Sequence, residues 1–160
     1  MEISAVDDAS IAGVRRLNLA ALPIPVQDHI YREAMCPPIF SQVAQRNGKV
    51  LGAVIVHDDS GDARCIRTIA VDIRSRGQGI GRMLLEKVVQ DAMLMRKKLY
   101  LHVQVDNDDA IRLYKSVGFT VDERVANYYR RVSCVDCFVM SLPPAVASPH
   151  ERPPGVSGST

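Results

Sequence analysis

An excess of charge of either sign is absent from this chain: 20 Lys and Arg stand against 18 Asp and Glu over 160 residues, a net of +2 at pH 7. Nothing in that balance demands a nucleic-acid or membrane partner. Long apolar runs are absent too, so no stretch reads as a membrane span. The start, MEISAVDDAS, is acidic and has no basic leader region, which argues against a secretory signal. Cysteine is scarce: Cys36, Cys65, Cys134 and Cys137 lack the dense spacing of a disulfide scaffold. A reducing, cytoplasmic setting is therefore expected. There is no internal repeat. What is present is the composition of an ordinary globular domain, 47% hydrophobic and 24% charged, at a length that buries a core without cross-links.

The apolar pattern stops near Leu142. Residues 1–142 read as one domain. Residues 143–160, PPAVASPHERPPGVSGST, have no apolar period and read as a disordered Pro/Ser/Gly-rich tail. Within the domain, Glu2–Val6 suits a short strand. Asp8 or Ser10 suits the cap of a helix that turns Ile11, Val14, Leu17 and Leu19 inward. The prolines of LPIPV, Leu22–Val26, make a turn, and a second helix over Asp28–Met35 ends before Pro37 and Pro38. IFSQVAQ and KVLGAVIVH are strands joined at Asn47–Gly48, a strong hairpin signal, and RCIRTIAVD is a further strand. A helix running to about Met95 carries Ile80, Leu84, Val88, Ala92 and Met95 on one face. KLYLHVQVD is a strand and Asn107–Val117 a helix; GFTVDERV and CVDCFVMSL close the domain as strands. The order β-α-α-β-β-β-α-β-α-β-β predicts an α+β domain. Its sheet is mixed and mostly antiparallel, with about seven strands and about four helices.

The junction IAVDIRSRGQGIGRMLLEKVV, Ile69–Val89, carries the chemistry. A β-branched run breaks into arginines, passes three glycines and becomes a helix. A helix start presents unpaired N–H groups and the positive end of the dipole. Gly77, Gly79 and Gly81 let a ligand approach the main chain, while Arg74, Arg76 and Arg82 add positive charge. The pattern suits phosphate or pyrophosphate; a plain turn with solvated arginines is the simpler reading. A P-loop fails because Arg82–Met83 follow Gly81, and the G-x-G-x-G spacing is not the dinucleotide fingerprint. A nucleoside-binding methyltransferase is the rival, with Asp106 as a ribose acid. Too few α/β units follow for a doubly wound sheet.

Two segments then point to one family. RSRGQGIG resembles the R/Q-x-x-G-x-G/A motif of the GNAT (Gcn5-related) N-acetyltransferases, with Arg76, Gly79 and Gly81 in the motif positions. VDNDDAIRLYKSVGF resembles the second motif, N-x-x-A-x-x-x-Y-x-x-x-G-F, through Asn107, Ala110, Tyr114, Gly118 and Phe119. The likeness covers about residues 1–142. RLN with LPIPV, YLHVQVDNDDAI and NYYRR are most similar to the San-type catalytic subunits of N-terminal acetyltransferase E. The resemblance implies acetyl-CoA as cosubstrate and no metal. It implies a protein or peptide N-terminus of the Met-hydrophobic type as acceptor, and possible association with N-terminal acetyltransferase A subunits.

It also implies roles. Main-chain amides across Arg76, Gly77, Gln78, Gly79, Ile80 and Gly81 would hold the CoA pyrophosphate. The pantetheine arm would run along Ile69, Ala70 and Val71, in a V-shaped gap between this strand and the next. Asn107 would bond that arm, although it is also a good helix cap. Tyr114 would donate to the leaving thiolate, or serve simply as a half-buried anchor. His102 shares a strand face with Tyr100 and Gln104. A hydrogen-bonded structural histidine is one reading; the resemblance makes it a general base acting through water. Leu22, Pro23, Ile24 and Val26 would line the acceptor pocket, with Tyr128 and Tyr129 gripping the substrate backbone.

Cys65 stands where the subfamily has a catalytic Tyr, and Val26 where it has a substrate-contacting one. An α-amine with a pKa of roughly 8 is about one-tenth neutral at pH 7, whereas a lysine amine is far less so. Direct attack in a ternary complex therefore tolerates a weaker base at an α-amine. Acetylation of lysine or a small amine, and a non-catalytic CoA-binding role in a larger complex, are the alternatives. Cys134-x-x-Cys137 has no second pair, and strand residues three apart face opposite ways, so zinc is not expected.

Overall fold

The computed structural model describes residues 1–59, 61–128 and 136–145. Most of the expected tail, and Tyr129 and Cys134, lie outside the described residues. The elements are β1 (Glu2–Ala5), α1 (Ile11–Ala21), α2 (Asp28–Ala34), β2 (Gln42–Arg46), β3 (Lys49–Asp58) and β4 (Ala63–Val71). A 3-10 turn (Ile73–Ser75) leads to α3 (Ile80–Leu94), β5 (Lys98–Gln104), α4 (Asp108–Ser116), β6 (Thr120–Val125) and β7 (Cys137–Leu142). The seven strands form one sheet in the order β1-β2-β3-β4-β5-β7-β6. Only β4 and β5 run parallel; the other neighbours are antiparallel. This is the α+β architecture expected from the element order.

Helices cover both faces. On one, α3 and α4 pack Ile80, Leu84, Leu85, Val88, Ile111 and Tyr114 against Val54, Val56, Ile66, Leu99 and Leu101. On the other, α1 and α2 bring Val14, Leu17, Tyr31 and Ala34 onto Val43, Ala53, Ile55 and Ala70. Adjacent residues of β3 thus serve opposite cores. That is why VLGAVIVH is an almost unbroken apolar run rather than an alternating one.

Three details differ from the sequence reading. Leu19 points outward at 84% exposure, and Asn18 is buried instead. The amide belongs inside because its Nδ2 donates to Tyr31 Oη at 3.2 Å; a partnered polar group can be buried where hydrophobicity alone would choose leucine. Met95 lies at the exposed C-terminal end of α3, and Leu85 takes its expected place in the core. The first helix is secured by Asp7 and Ser10, not Asp8. Ser10 N–H donates to Asp7 Oδ1 (2.9 Å) and Asp7 N–H to Ser10 Oγ (3.0 Å), a reciprocal pair that satisfies two backbone donors.

The site depends on one break in the sheet. The β4–β5 ladder runs from Ala63–Lys98 to Ile66–Leu101 and stops. At the same point the β3–β4 register shifts, Val56 facing Ile66 and Ile55 facing Thr68, so Arg67 is an extra residue in β4. Such a bulge bends its strand. Beyond it β4 follows β3, while β5 continues with β7 up to Gln104–Cys137. The two parallel strands splay, and a cleft opens between them.

Candidate active site

The cleft has a volume of about 240 Å³. Its floor and sides are Ile66–Ile69 of β4 and Leu101–Gln104 of β5. Asn107 and Tyr114 close one side, and Leu22–Val26 with Ile30 overhang the other. Four expected pocket residues (Leu22, Pro23, Ile24 and Val26) therefore share a wall with His102, Ile69, Asn107 and Tyr114. The wall is apolar because the proline turn contributes no backbone donor at Pro23 or Pro25.

At the mouth of α3 the backbone is bare. Gly77 and Gly79 have φ of +79° and +78°, the left-handed region, and a Cβ at either would meet nothing within 4 Å. Gly79 caps α3 without a side-chain bond, and the first turn contains no acidic residue. Those amides and the dipole thus face open space. Gly81 is different: its Cβ would touch Val71 and Leu113 only at ordinary distances, so its conformation does not require glycine. Ile80 buries its side chain in the core, while Gln78 and Arg76 are exposed. Ala70 packs toward α1 and α2, so only its main chain faces the splay. Val71 is half-buried against the α3 core.

The arginines do not act as one group. Arg82 binds Glu86 at 2.8 Å and Ser116 Oγ at 2.9 Å, and so ties α3 to α4 instead of adding free charge. Arg74 and Arg76 line a second, larger groove of about 600 Å³ between α1, the β2–β3 hairpin and the 3-10 turn. Its one carboxylate, Asp72, already accepts from Arg74 N–H and pairs with Lys49. That groove is the bigger cavity, but it lacks a free proton acceptor.

His102 is half-buried and flanked by rings. Tyr128 stacks on it at 4.4 Å between centroids with planes 5° apart, and Tyr100 meets it edge-on at 6.2 Å. Arg124 and Asn127 N–H both bind the Asp136 carboxylate, which fixes the base of the loop carrying Tyr128. Burial lowers the His102 pKa below its ordinary value. The Arg67 charge lowers it further, and Glu123 opposes both. The imidazole is therefore neutral at pH 7 and free to accept a proton. Tyr114 is buried, and that burial pushes its phenol up to about 12, so it holds its proton at neutral pH.

Cys65 is buried beside Tyr100 and is not part of the cleft wall; burial raises its thiol pKa. An inert thiol follows. Tyr100 does not replace the missing base, because burial and its hydrogen bond to Asp59 raise its pKa as well. Asn107 serves as a helix cap, accepting Ala110 N–H at 3.3 Å, while also edging the cleft.

The polar cleft residues missed as site residues in the sequence are Arg67, Thr68 and Gln104. The Thr68 hydroxyl is buried with no hydrogen-bond partner among the described residues. The signal for Arg67 was present, a second cation within RCIRTIAV two residues from Cys65, but the bulge that brings it into the wall has no sequence signature here. No group of three or more metal-ligating side chains occurs among the described residues. No helix among them is long and apolar enough to cross a membrane.

A splayed parallel pair, a glycine-lined helix mouth and a half-buried histidine in the cleft are features that suit a phosphate-bearing acyl carrier. Comparison with known proteins agrees. The acetyltransferase (GNAT) family model matches residues 12–119, and the chain belongs to that family and is an N-acetyltransferase. It is 29% identical to N-alpha-acetyltransferase 50 of Danio rerio, over 97% of this chain and 94% of the relative. It is 27% identical to the probable N-acetyltransferase san of Drosophila melanogaster, over 88% and 79%. Among solved structures, Arabidopsis thaliana Naa50 in complex with the bisubstrate analogue CoA-Ac-MVNAL is similar, with a TM-score of 0.78 and 31% identity over 88% of this chain and 97% of that one. The ribosomal-protein-S18-alanine N-acetyltransferase of Escherichia coli superposes with a TM-score of 0.83 at 25% identity, over 94% and 98%.

Proposed function

We propose that this chain transfers acetyl from acetyl-CoA to the α-amine of protein N-termini of the Met-hydrophobic type. The single observation that carries the reading is the cleft itself. One wall belongs to β4, which leads on through the 3-10 turn to the uncapped start of α3, the other holds His102, and an apolar turn overhangs both. The residues present fit the CoA moiety. Gly77 and Gly79 leave room at their amides, and the orphaned Thr68 hydroxyl offers a buried partner to an amide-bearing arm. The likeness to Naa50 bound to a CoA–peptide conjugate supports the acceptor class.

In this reading the amides of residues 76–81 take the pyrophosphate, and the open edge of Ile69–Val71 lies along the pantetheine. Leu22, Pro23, Ile24 and Val26 receive the first side chain. Tyr128 and Tyr129 hold the acceptor backbone, and Cys65 backs the acceptor side from beneath the wall. The neutral α-amine attacks the thioester carbonyl directly. Water relays its proton to His102, and the Tyr114 hydroxyl donates to the departing thiolate. A histidine held neutral and a phenol held protonated are the states those two roles need. Residues 1–142 form the catalytic domain and 143–160 a tail. The enzyme acts in the cytoplasm, and partnership with N-terminal acetyltransferase A subunits follows from the same family likeness.

The test is an acceptor panel. Met-Leu peptides should be acetylated at the α-amine far faster than amino-blocked lysine peptides or polyamines. Preference for lysine or a polyamine would overturn the acceptor assignment. Binding of acetyl-CoA without turnover on any acceptor would overturn the catalytic one.

A further inference from the structure

We propose that Arg67 selects acceptors bearing a carboxylate on their third residue, an inference that rests on the α-amine acetyltransferase reading above. Among the described residues that line the cleft, Arg67 is the one formally charged side chain; the rest are apolar or neutral. It is exposed at the bulge in β4, where the strand leaves β5. No hydrogen bond or ion pair satisfies it among the described residues. It lines the same cleft as His102, whose pKa its charge lowers. Glu123 of β6 also acts on His102 but makes no ion pair with Arg67.

An unpaired guanidinium here disfavours a protonated acceptor amine by like-charge repulsion. A peptide that covers it also strips its water, and that loss is offset only when the peptide supplies an anion. The first side chain has an apolar wall of its own and the second is hydrophobic in this acceptor class, so the carboxylate belongs on the third residue. Arginine suits a planar carboxylate through its forked donors. The same cation favours the neutral form of the attacking amine. Attraction for acidic acceptors and a penalty for basic ones together give discrimination.

The experiment uses the full chain with acetyl-CoA and matched tripeptide starts: Met-Leu-Glu, Met-Leu-Gln and Met-Leu-Lys. The Glu peptide should exceed its Gln isostere in kcat/KM by about tenfold, the scale of a charge-assisted hydrogen bond. The difference should lie in KM. In Arg67→Gln the Glu:Gln ratio should fall to near one, and in Arg67→Glu the preference should move to the Lys peptide. A wild-type ratio near one, or a ratio unchanged in both variants, overturns the proposal while leaving α-amine transfer standing. Acetyl-CoA binding with no α-amine acetylation of any peptide overturns the parent function and this inference with it.

Discussion

Gly79→Ala isolates the phosphate cradle from general stability. The residue sits at φ +78°, and a Cβ there meets no protein atom within 4 Å. The free protein therefore suffers backbone strain but no clash. A left-handed L-residue costs about 1–2 kcal/mol, which in a domain of this size lowers Tm by about 2–8 °C. Gly61 is the matched control: φ +76°, nothing within 4 Å, and a position in the β3–β4 turn. Gly61→Ala should lower Tm by the same amount. The two variants should separate in titration calorimetry with acetyl-CoA. Gly79→Ala places a methyl group at the amides that would face the pyrophosphate and should weaken binding at least tenfold, about 1.4 kcal/mol. Gly61→Ala should bind as the wild type does. Equal affinity in both variants would refute the placement of the diphosphate at this helix mouth.

His102→Gln should lower kcat by about a hundredfold, the usual scale of a lost general base, with acetyl-CoA affinity retained; stopped-flow turnover together with calorimetry reads both. Tyr114→Phe should lower kcat severalfold to tenfold, and most for poor leaving groups, as rates with acyl-CoA analogues would show. Because the His102 pKa is lowered, activity corrected for the neutral fraction of the acceptor amine should hold below the ordinary histidine range as pH falls, then drop as the imidazole gains its proton; Arg67→Gln should move that acid limb to higher pH. The groups facing His102 are Tyr100, Tyr128, Arg67 and Glu123, and only the last two carry charge at neutral pH. In a timed alkylation of the native protein, exposed Cys36 should react well before buried Cys65.

The hairpin at Asn47–Gly48, the alternation in KLYLHVQ and the glycine junction were legible because each is a local rule. Backbone sterics, the two-residue strand period and the helix terminus need no tertiary partner. The correct set of strands followed. What the sequence hid was relational. Asn18 replaces Leu19 inside only because Tyr31 waits across the gap between α1 and α2. Arg82 looked like part of an anion site until Glu86 and Ser116 claimed it. The splay that makes the cleft arises from a single extra residue, Arg67, and its position depends on how β3 and β5 pair, which no window of β4 reveals. The Cys65 position was flagged by family likeness, but its burial beneath Tyr100 required the fold.

A crystal structure of the chain with acetyl-CoA tests the account most directly. It should show the pyrophosphate on the amides of residues 76–81, the arm between residues 67–71 of β4 and the end of β5, and the thioester near Tyr114. Density for the ligand in the larger groove beside Arg16, Lys49 and Arg74, with the β4–β5 cleft empty, would contradict it.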